Sequence, residues 1–335
     1  MKSLIYPCRV PAQKPNRKAG FEFEYSNLEI EDSVDIIVKE YGGRVEKINP
    51  YNYKIHTPIG TFGVLMDFSF LSNSKLKELK REIGLEIIDE ETIEKIEEII
   101  AQIGKSLIPY ELTTPPLEFS RLNEAHNIKE LLRKNGARGT RANLLYAFGM
   151  HINPEVREQN IETLLSDLRA FFILYDFIKD ALDIDITRRL TTYIDPFDTA
   201  YILKVLDFNY NPTITEFIDD YVTYNPTRNR ALDLLPVLTL LDEQRVRRKL
   251  PDEKIGKRPT YHYRLPDSRV DELTWSPCFA WNSWVLIEML AVDTKNLNRL
   301  SELMFEYLKR PWNLLQRDEF EEELNIWVQK SIESL

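Results

Sequence analysis

Only two of the 335 residues are cysteine, Cys8 and Cys278. They show no zinc-type spacing, so neither a metal knuckle nor a disulfide framework is expected, and a reduced intracellular compartment fits. Basic residues are also in short supply: 44 Lys and Arg stand against 54 Asp and Glu, a formal charge of -10. That balance argues against broad binding to nucleic acid or to an acidic membrane, both of which need excess positive charge. Long apolar runs are missing. The most apolar stretch, Phe171 to Ile178, is short and contains Asp176, so no membrane span is expected. No apolar region of signal-peptide length precedes Pro7 and Pro11, which makes a cytoplasmic protein the default expectation. Neither a Gly-x-Gly-x-x-Gly after a strand nor a Gly-x-x-x-x-Gly-Lys-Ser/Thr loop occurs, which disfavours the mononucleotide folds built on those loops. There is no internal repeat and no low-complexity tract.

What is present can fill a sizeable core: 43% of the residues are hydrophobic. Residues 1–18, with Pro7, Pro11 and Pro15, read as an arm. A catalytic domain is expected over 19–310 and a C-terminal helical segment over 311–335. The pattern predicts a helix near 31–41, then a β-meander with turns at Asn49-Pro50-Tyr51-Asn52 and Pro58-Ile59-Gly60, ending near Asp67. Apolar residues at helical spacing predict helices over Thr92 to Ile103, near 122–134 and from Asn160, a candidate cap, to about 182. Residues 183–250 read as an all-α insertion that overhangs a cleft. Strand character returns at Thr260 to Leu265, and helices follow, with Trp275, Trp281 and Trp284 in the last helical layer. Strands and helices do not alternate regularly. The expected class is therefore α+β with a mostly antiparallel sheet.

Three short segments carry the chemistry. They are Gly20-Phe21-Glu22-Phe23-Glu24-Tyr25, Tyr110-Glu111-Leu112-Thr113-Thr114-Pro115-Pro116 and Gly149-Met150-His151-Ile152-Asn153-Pro154. In a strand, residues two apart share a face, so Glu22 goes with Glu24 and His151 with Asn153. The interleaved residues Phe21, Phe23, Met150 and Ile152 are apolar, as expected when the other face is core. Carboxylates gathered on one face repel each other unless a cation lies between them, which suits Mg²⁺ or Mn²⁺ holding phosphates. A fourth segment, Lys257 to Arg269, places His262 and Arg264 on one strand face, a metal ligand beside a bidentate phosphate grip. The basic run Arg245 to Lys249 is flanked by acids and reads as a solvated helix end.

With these four motifs in order, the chain resembles the amidoligases, carboxylate–amine ligases with a glutamine synthetase-like fold. The stretch Tyr224 to Pro236 is similar to them too. The resemblance implies a curved, mostly antiparallel sheet with helices on one face. It implies metal ligands at Glu22, Glu24, Glu111, His151 and His262, and a catalytic, phosphate-binding Arg264. Arg228 and Arg230 are candidates for gripping a substrate carboxylate or ATP phosphates. Arg138 and Arg141, around Gly139, are candidates for a phosphate clamp, and Asn153 for cofactor contact. One departure stands out: such enzymes usually have Glu where this chain has His262. Imidazole is a softer ligand without negative charge and still suits Mn²⁺ or Zn²⁺. Either the metal site is altered, with Glu118 or Asp67 compensating, or catalysis is lost.

The implied activity is ATP-dependent formation of an amide or peptide-like bond through an acyl phosphate, with Mg²⁺ or Mn²⁺. Its substrates would be small-molecule or peptide carboxylates and amines, with neither nucleic acid nor membrane as partner. Two alternatives use the same residues: a metal-dependent hydrolase that activates water, and a non-catalytic binding module that has lost the metal site.

Overall fold

A computed structural model of the chain describes residues 7–67, 108–143, 146–185, 194–251 and 255–335. The elements in its first half are β1 (Lys18–Tyr25), α1 (Ile30–Tyr41), β2 (Arg44–Asn49), β3 (Asn52–Thr57), β4 (Gly60–Met66), β5 (Tyr110–Thr113), β6 (Leu117–Glu118), α2 (Asn123–Lys134) and β7 (Met150–Pro154). There follow α3 (Ile161–Ala181), α4 (Thr199–Leu206), α5 (Ile214–Tyr224), β8 (Leu232–Asp233), α6 (Leu235–Leu241), α7 (Glu243–Lys249), β9 (His262–Tyr263), α8 (Pro277–Val292), α9 (Thr294–Lys309) and α10 (Leu314–Ser334). The helix expected over Thr92 to Ile103 falls outside the described residues.

Among the described residues the strands form one open, curved sheet in the order β2-β3-β4-β5-β1-β7-β9-β8, with β6 paired to the start of β1. Its ladders are antiparallel. The fold is therefore α+β with a mostly antiparallel sheet. Strand alternation sends Phe21, Phe23 and Tyr25 of β1, Leu112 of β5, Met150 and Ile152 of β7 and Tyr263 of β9 to one face, where they are buried. Helices cover that face. Tyr25 donates to Ser33 of α1 at 2.8 Å, Phe171 of α3 packs edge-on to Tyr263, and Trp284 of α8 lies against Tyr261 and Tyr263.

Local signals explain the helix bounds. α1 buries Ile30, Val34 and Ile37 on one stripe and ends at Gly42, whose φ of 69° suits glycine. α3 starts where the Asn160 side chain accepts the Thr163 N–H at 2.9 Å. Trp281 and Trp284 of α8 are fully buried, and truncating such a side chain to Ala typically costs about 3–5 kcal/mol. No helix among the described residues is long and apolar enough to cross a membrane.

Two expectations are corrected here. Residues 183–250 are not all helical, because Leu232–Asp233 is the edge strand of the main sheet, paired with β9. Nor does α4 of this region overhang the charged face. Tyr201 of α4 meets Phe172 of α3, which places α4 in the helical layer. The apolar periodicity was that of a helix packed against other helices, which sequence cannot distinguish from a helix over a cleft.

The second correction concerns cysteine: Cys8 and Cys278 are joined in a disulfide across a separation of 270 residues. The N-terminal arm is strapped along α8. Asn282 accepts from the Arg9 N–H and donates to Pro7 O, while the Trp281 indole donates to Arg9 O. Pairing across so long a separation follows from where the arm lies, and spacing carries no hint of it.

Candidate metal centre

The face of the sheet opposite the helices gathers the charged residues, and strand register decides which of them meet. Glu22 of β1 lies directly opposite His151 of β7, and Glu24 lies opposite Glu111 of β5. Ile152 pairs with Tyr263, which sets Asn153 beside His262. Glu22, Glu24, His151, Asn153 and His262 are all buried. The result is two groups whose ligand atoms lie within 4.8 Å of one another: Glu22, His151 and His262, and Glu24, Glu111 and His151.

Hydrogen bonds order these side chains. Asn153 Nδ2 donates to Glu22 Oε1 at 2.8 Å, and Asn153 Oδ1 lies 2.8 Å from His262 Nδ1. His151 Nδ1 is 3.2 Å from Glu22 Oε2, and its Nε2 is 3.7 Å from Glu24 Oε1. Glu24 Oε2 accepts the Gly149 N–H at 2.6 Å, and Glu111 Oε1 accepts the Thr113 hydroxyl at 3.0 Å. Arg264 Nη1 is 3.3 Å from His262 Nε2.

Burial shapes the electrostatics. It raises Glu111 well above the usual carboxylate range, and the negative charges of Glu22, Asp67 and Glu24 push the same way. Burial also opposes ionisation of Glu22, but the facing His262, His151 and Asn153 outweigh it and hold that carboxyl well below its usual range. Burial drives His262 far below the ordinary histidine value. Glu22 works against that fall, and Arg264, His151 and Arg258 reinforce it. A neutral imidazole and clustered carboxylates form a donor set that fits a divalent cation.

The remaining predicted residues divide. Asp67 acts on Glu111 and so lies near the acid end of the cluster. Glu118 pairs with Lys18, is exposed, and belongs to neither group. Arg228 lies with Arg258 and Arg264 close enough to act on Asp233. Arg230 points elsewhere. Its guanidinium donates to Asn225 Oδ1 at 2.8 Å, to Tyr224 O and to Pro196 O, and stacks over Phe197. It ties two loops together, a role invisible without their tertiary contact. Arg141 is held by Asp183, with a side-chain contact of 2.6 Å, and by Glu272. Arg138 is 59% exposed and lies 3.9 Å from Asp271, while its backbone bridges to Ser26. Both arginines thus serve ion pairs in the loop packing against residues 268–272. Gly139 permits that packing, since a Cβ there would collide with the Ser268 carbonyl.

Sequence reasoning passed over Asp233. It faces His262 across the β8–β9 pair, is buried, and accepts the Leu235 N–H at 2.8 Å. Burial lifts its carboxyl to about 7, against the opposing pull of Leu235 N–H, Arg264, Arg228 and Arg258. The signal was a lone acid within Ala231-Leu232-Asp233-Leu234-Leu235. An acid enclosed by apolar neighbours on a strand must face something other than water.

The fold and this face define an α+β protein with an acid- and imidazole-lined candidate metal site. Residues 15–286 match the family model described as "Putative amidoligase enzyme". The chain belongs to that amidoligase family, which makes its coarse class a ligase-type enzyme. No curated protein and no solved structure matches the chain.

Proposed function

We propose that the protein is an ATP-dependent carboxylate–amine ligase that works through an acyl phosphate and requires divalent cations. The observation that carries this reading is the register of β1, β5 and β7. It sets three carboxylates and an imidazole on one face, with Arg264 beside them on the neighbouring strand segment. Together with family membership, that arrangement supports chemistry on a polyphosphate.

A carboxylate is a poor acyl donor because its leaving group would be an oxide. Attack of its oxygen on the γ-phosphorus of ATP, with ADP leaving, makes an acyl phosphate. Attack of an amine on the acyl carbon then expels phosphate and forms the amide, with loss of an amine proton. Glu22, Glu24, Glu111, His151 and His262 are the residues that would hold Mg²⁺ or Mn²⁺. When bound, such ions supply charge compensation for the transferring phosphoryl oxygens. Arg264 presents a guanidinium to the same space and would stabilise negative charge developing on the phosphoryl group. Arg228 and Arg258, gathered near Asp233, make that end of the face positive and suited to an anionic substrate group.

The test is calorimetry of ATP with and without Mg²⁺ or Mn²⁺, followed by ADP release in the presence of mixed carboxylates and amines. ATP binding that needs the metal, and ADP release that needs both an acid and an amine, are expected. Metal binding without any nucleotide binding, or ADP release that depends on neither acid nor amine, would overturn the ligase reading.

A further inference from the structure

The helical layer holds a cavity of about 630 Å³, a size that suits a small ligand. Arg169 of α3, the turn that ends α4 and one side of α9 form its wall. None of the candidate metal ligands lines it. α9 also lies beyond residues 15–286, so that part of the wall stands outside the segment matched to the amidoligase family.

The wall carries one cation and one acid that nothing answers. Arg169 Nε donates to Val205 O at 2.7 Å, and its Nη2 donates to Asp207 O at 3.2 Å and to Tyr210 O at 3.1 Å. All three acceptors are backbone carbonyls, so the guanidinium is held in place with no carboxylate bonded to it. Its Nη1 has no protein partner among the described residues. Burial pulls the group below its usual value, and Tyr210 and Asp207 only partly offset that. Arg299, the other cation of the wall, is taken by Glu319 at 2.7 Å and Glu302 at 3.6 Å. Asp207 accepts the Asn209 N–H at 2.8 Å and Asn209 Nδ2 at 3.1 Å. That leaves Glu306, half-buried, whose carboxylate has neither a hydrogen bond nor an ion pair among the described residues. Two rings complete the wall, Phe305 and Phe208, the latter 86% exposed.

Arg169 and Glu306 line one cavity without pairing to each other. A ligand that answers both must carry an anion and a cation. A guanidinium with free N–H groups suits a carboxylate. The two phenylalanines call for an apolar body, which would also take Phe208 out of water. We propose that this cavity binds a small zwitterion with an apolar side chain, an amino acid or a short peptide, with its carboxylate on Arg169 and its ammonium on Glu306. With no candidate metal ligand in the wall, the ligand is held there and not activated. The inference is independent of the proposed function, and its test needs neither metal nor nucleotide.

Calorimetry of the chelator-treated, nucleotide-free, full-length protein tests it. The probes are L-phenylalanine, with both charges on one carbon, and phenylalanylalanine, with the charges a peptide unit apart. One of them is expected to bind, and the better binder tells amino acid from peptide. Converting its carboxylate to an amide should weaken binding by about tenfold or more, and so should replacing its ammonium with hydrogen. The amide tests Arg169 without disturbing the loop that Arg169 ties. Glu306→Gln should weaken the zwitterion by a similar factor and leave the probe without an ammonium unchanged. Phe208→Ala should weaken both. Circular dichroism confirms that each variant is folded. An amide that binds as tightly as the free acid would overturn the part given to Arg169. Parental affinity in Glu306→Gln would place the ligand elsewhere and overturn the site. Failure of both probes to bind at millimolar concentration would do the same.

Discussion

Two buried polar clusters lie on opposite sides of the same sheet. On the helical side, Arg17 donates to both oxygens of Glu288 at 2.7 and 2.5 Å, and Trp284 donates to the same carboxylate at 2.8 Å. Nearby, Asp167 accepts from Arg157 at 2.6 Å and from the Tyr261 hydroxyl at 2.8 Å. Two guanidinium groups meet two carboxylates, and the cluster is balanced within itself. On the other side, Glu22, Glu24 and Glu111 crowd together around two histidines. Burial alone is common to both clusters. What distinguishes them is composition: on the helical side two guanidinium groups answer two carboxylates, whereas on the other face three carboxylates crowd two imidazoles, the arrangement in which a cation would lower the repulsion.

Breaking the balanced cluster should have the largest effect. Glu288→Ala leaves Arg17 buried without its partner, and loss of one member of such a pair typically costs about 3–5 kcal/mol. Urea denaturation measures this. A loss near zero would mean that the network holds nothing, and the contrast between the two sides would collapse.

The second expectation concerns the unbalanced side. An ion that binds only the folded protein stabilises it by about 2.7 kcal/mol at a free concentration of 100 times its Kd. Mn²⁺ should therefore raise the unfolding free energy of the parent by that order, and Glu24→Ala should remove the gain. Glu288→Ala, though less stable, should keep it. Equal stabilisation of parent and Glu24→Ala would place the ion away from this face.

The smallest effect has the opposite sign to the first. Glu111 has a folded-state value raised above its unfolded one, so the folded protein favours the protonated form. Stability from this group is full below the unfolded value and is lost as pH rises toward the folded one. In chelator, Glu111→Gln should therefore melt higher than the parent at neutral pH, by roughly 2 °C for each kcal/mol relieved. It should also show a flatter decline between acid and neutral pH. A parent that gains stability over that interval relative to Glu111→Gln would show that Glu111 is not repelled.

Much of the charged face was legible in the chain because strand alternation is local. Glu22 with Glu24, His151 with Asn153 and the phenylalanines between the two glutamates follow from a period of two residues, whatever lies alongside. The helix capped by Asn160 and the turn before Gly60 are legible for the same reason. The contacts of Arg230 were not legible, because a guanidinium that holds two loops together looks, in one dimension, like one that waits for a phosphate. Asp233 was overlooked because its strand has only two residues, too short to show a pattern.

By itself, then, the sequence determined which side chains share a face, which helices carry an apolar stripe, and that four motif segments occur in an order resembling the amidoligases. The tertiary structure alone decided that Glu24 meets Glu111, that Asn153 stands between Glu22 and His262, and that Cys8 reaches Cys278. The physical reason is range. Face and periodicity are set by the backbone dihedrals of neighbouring residues, whereas register and partner depend on how segments far apart in the chain pack into one core.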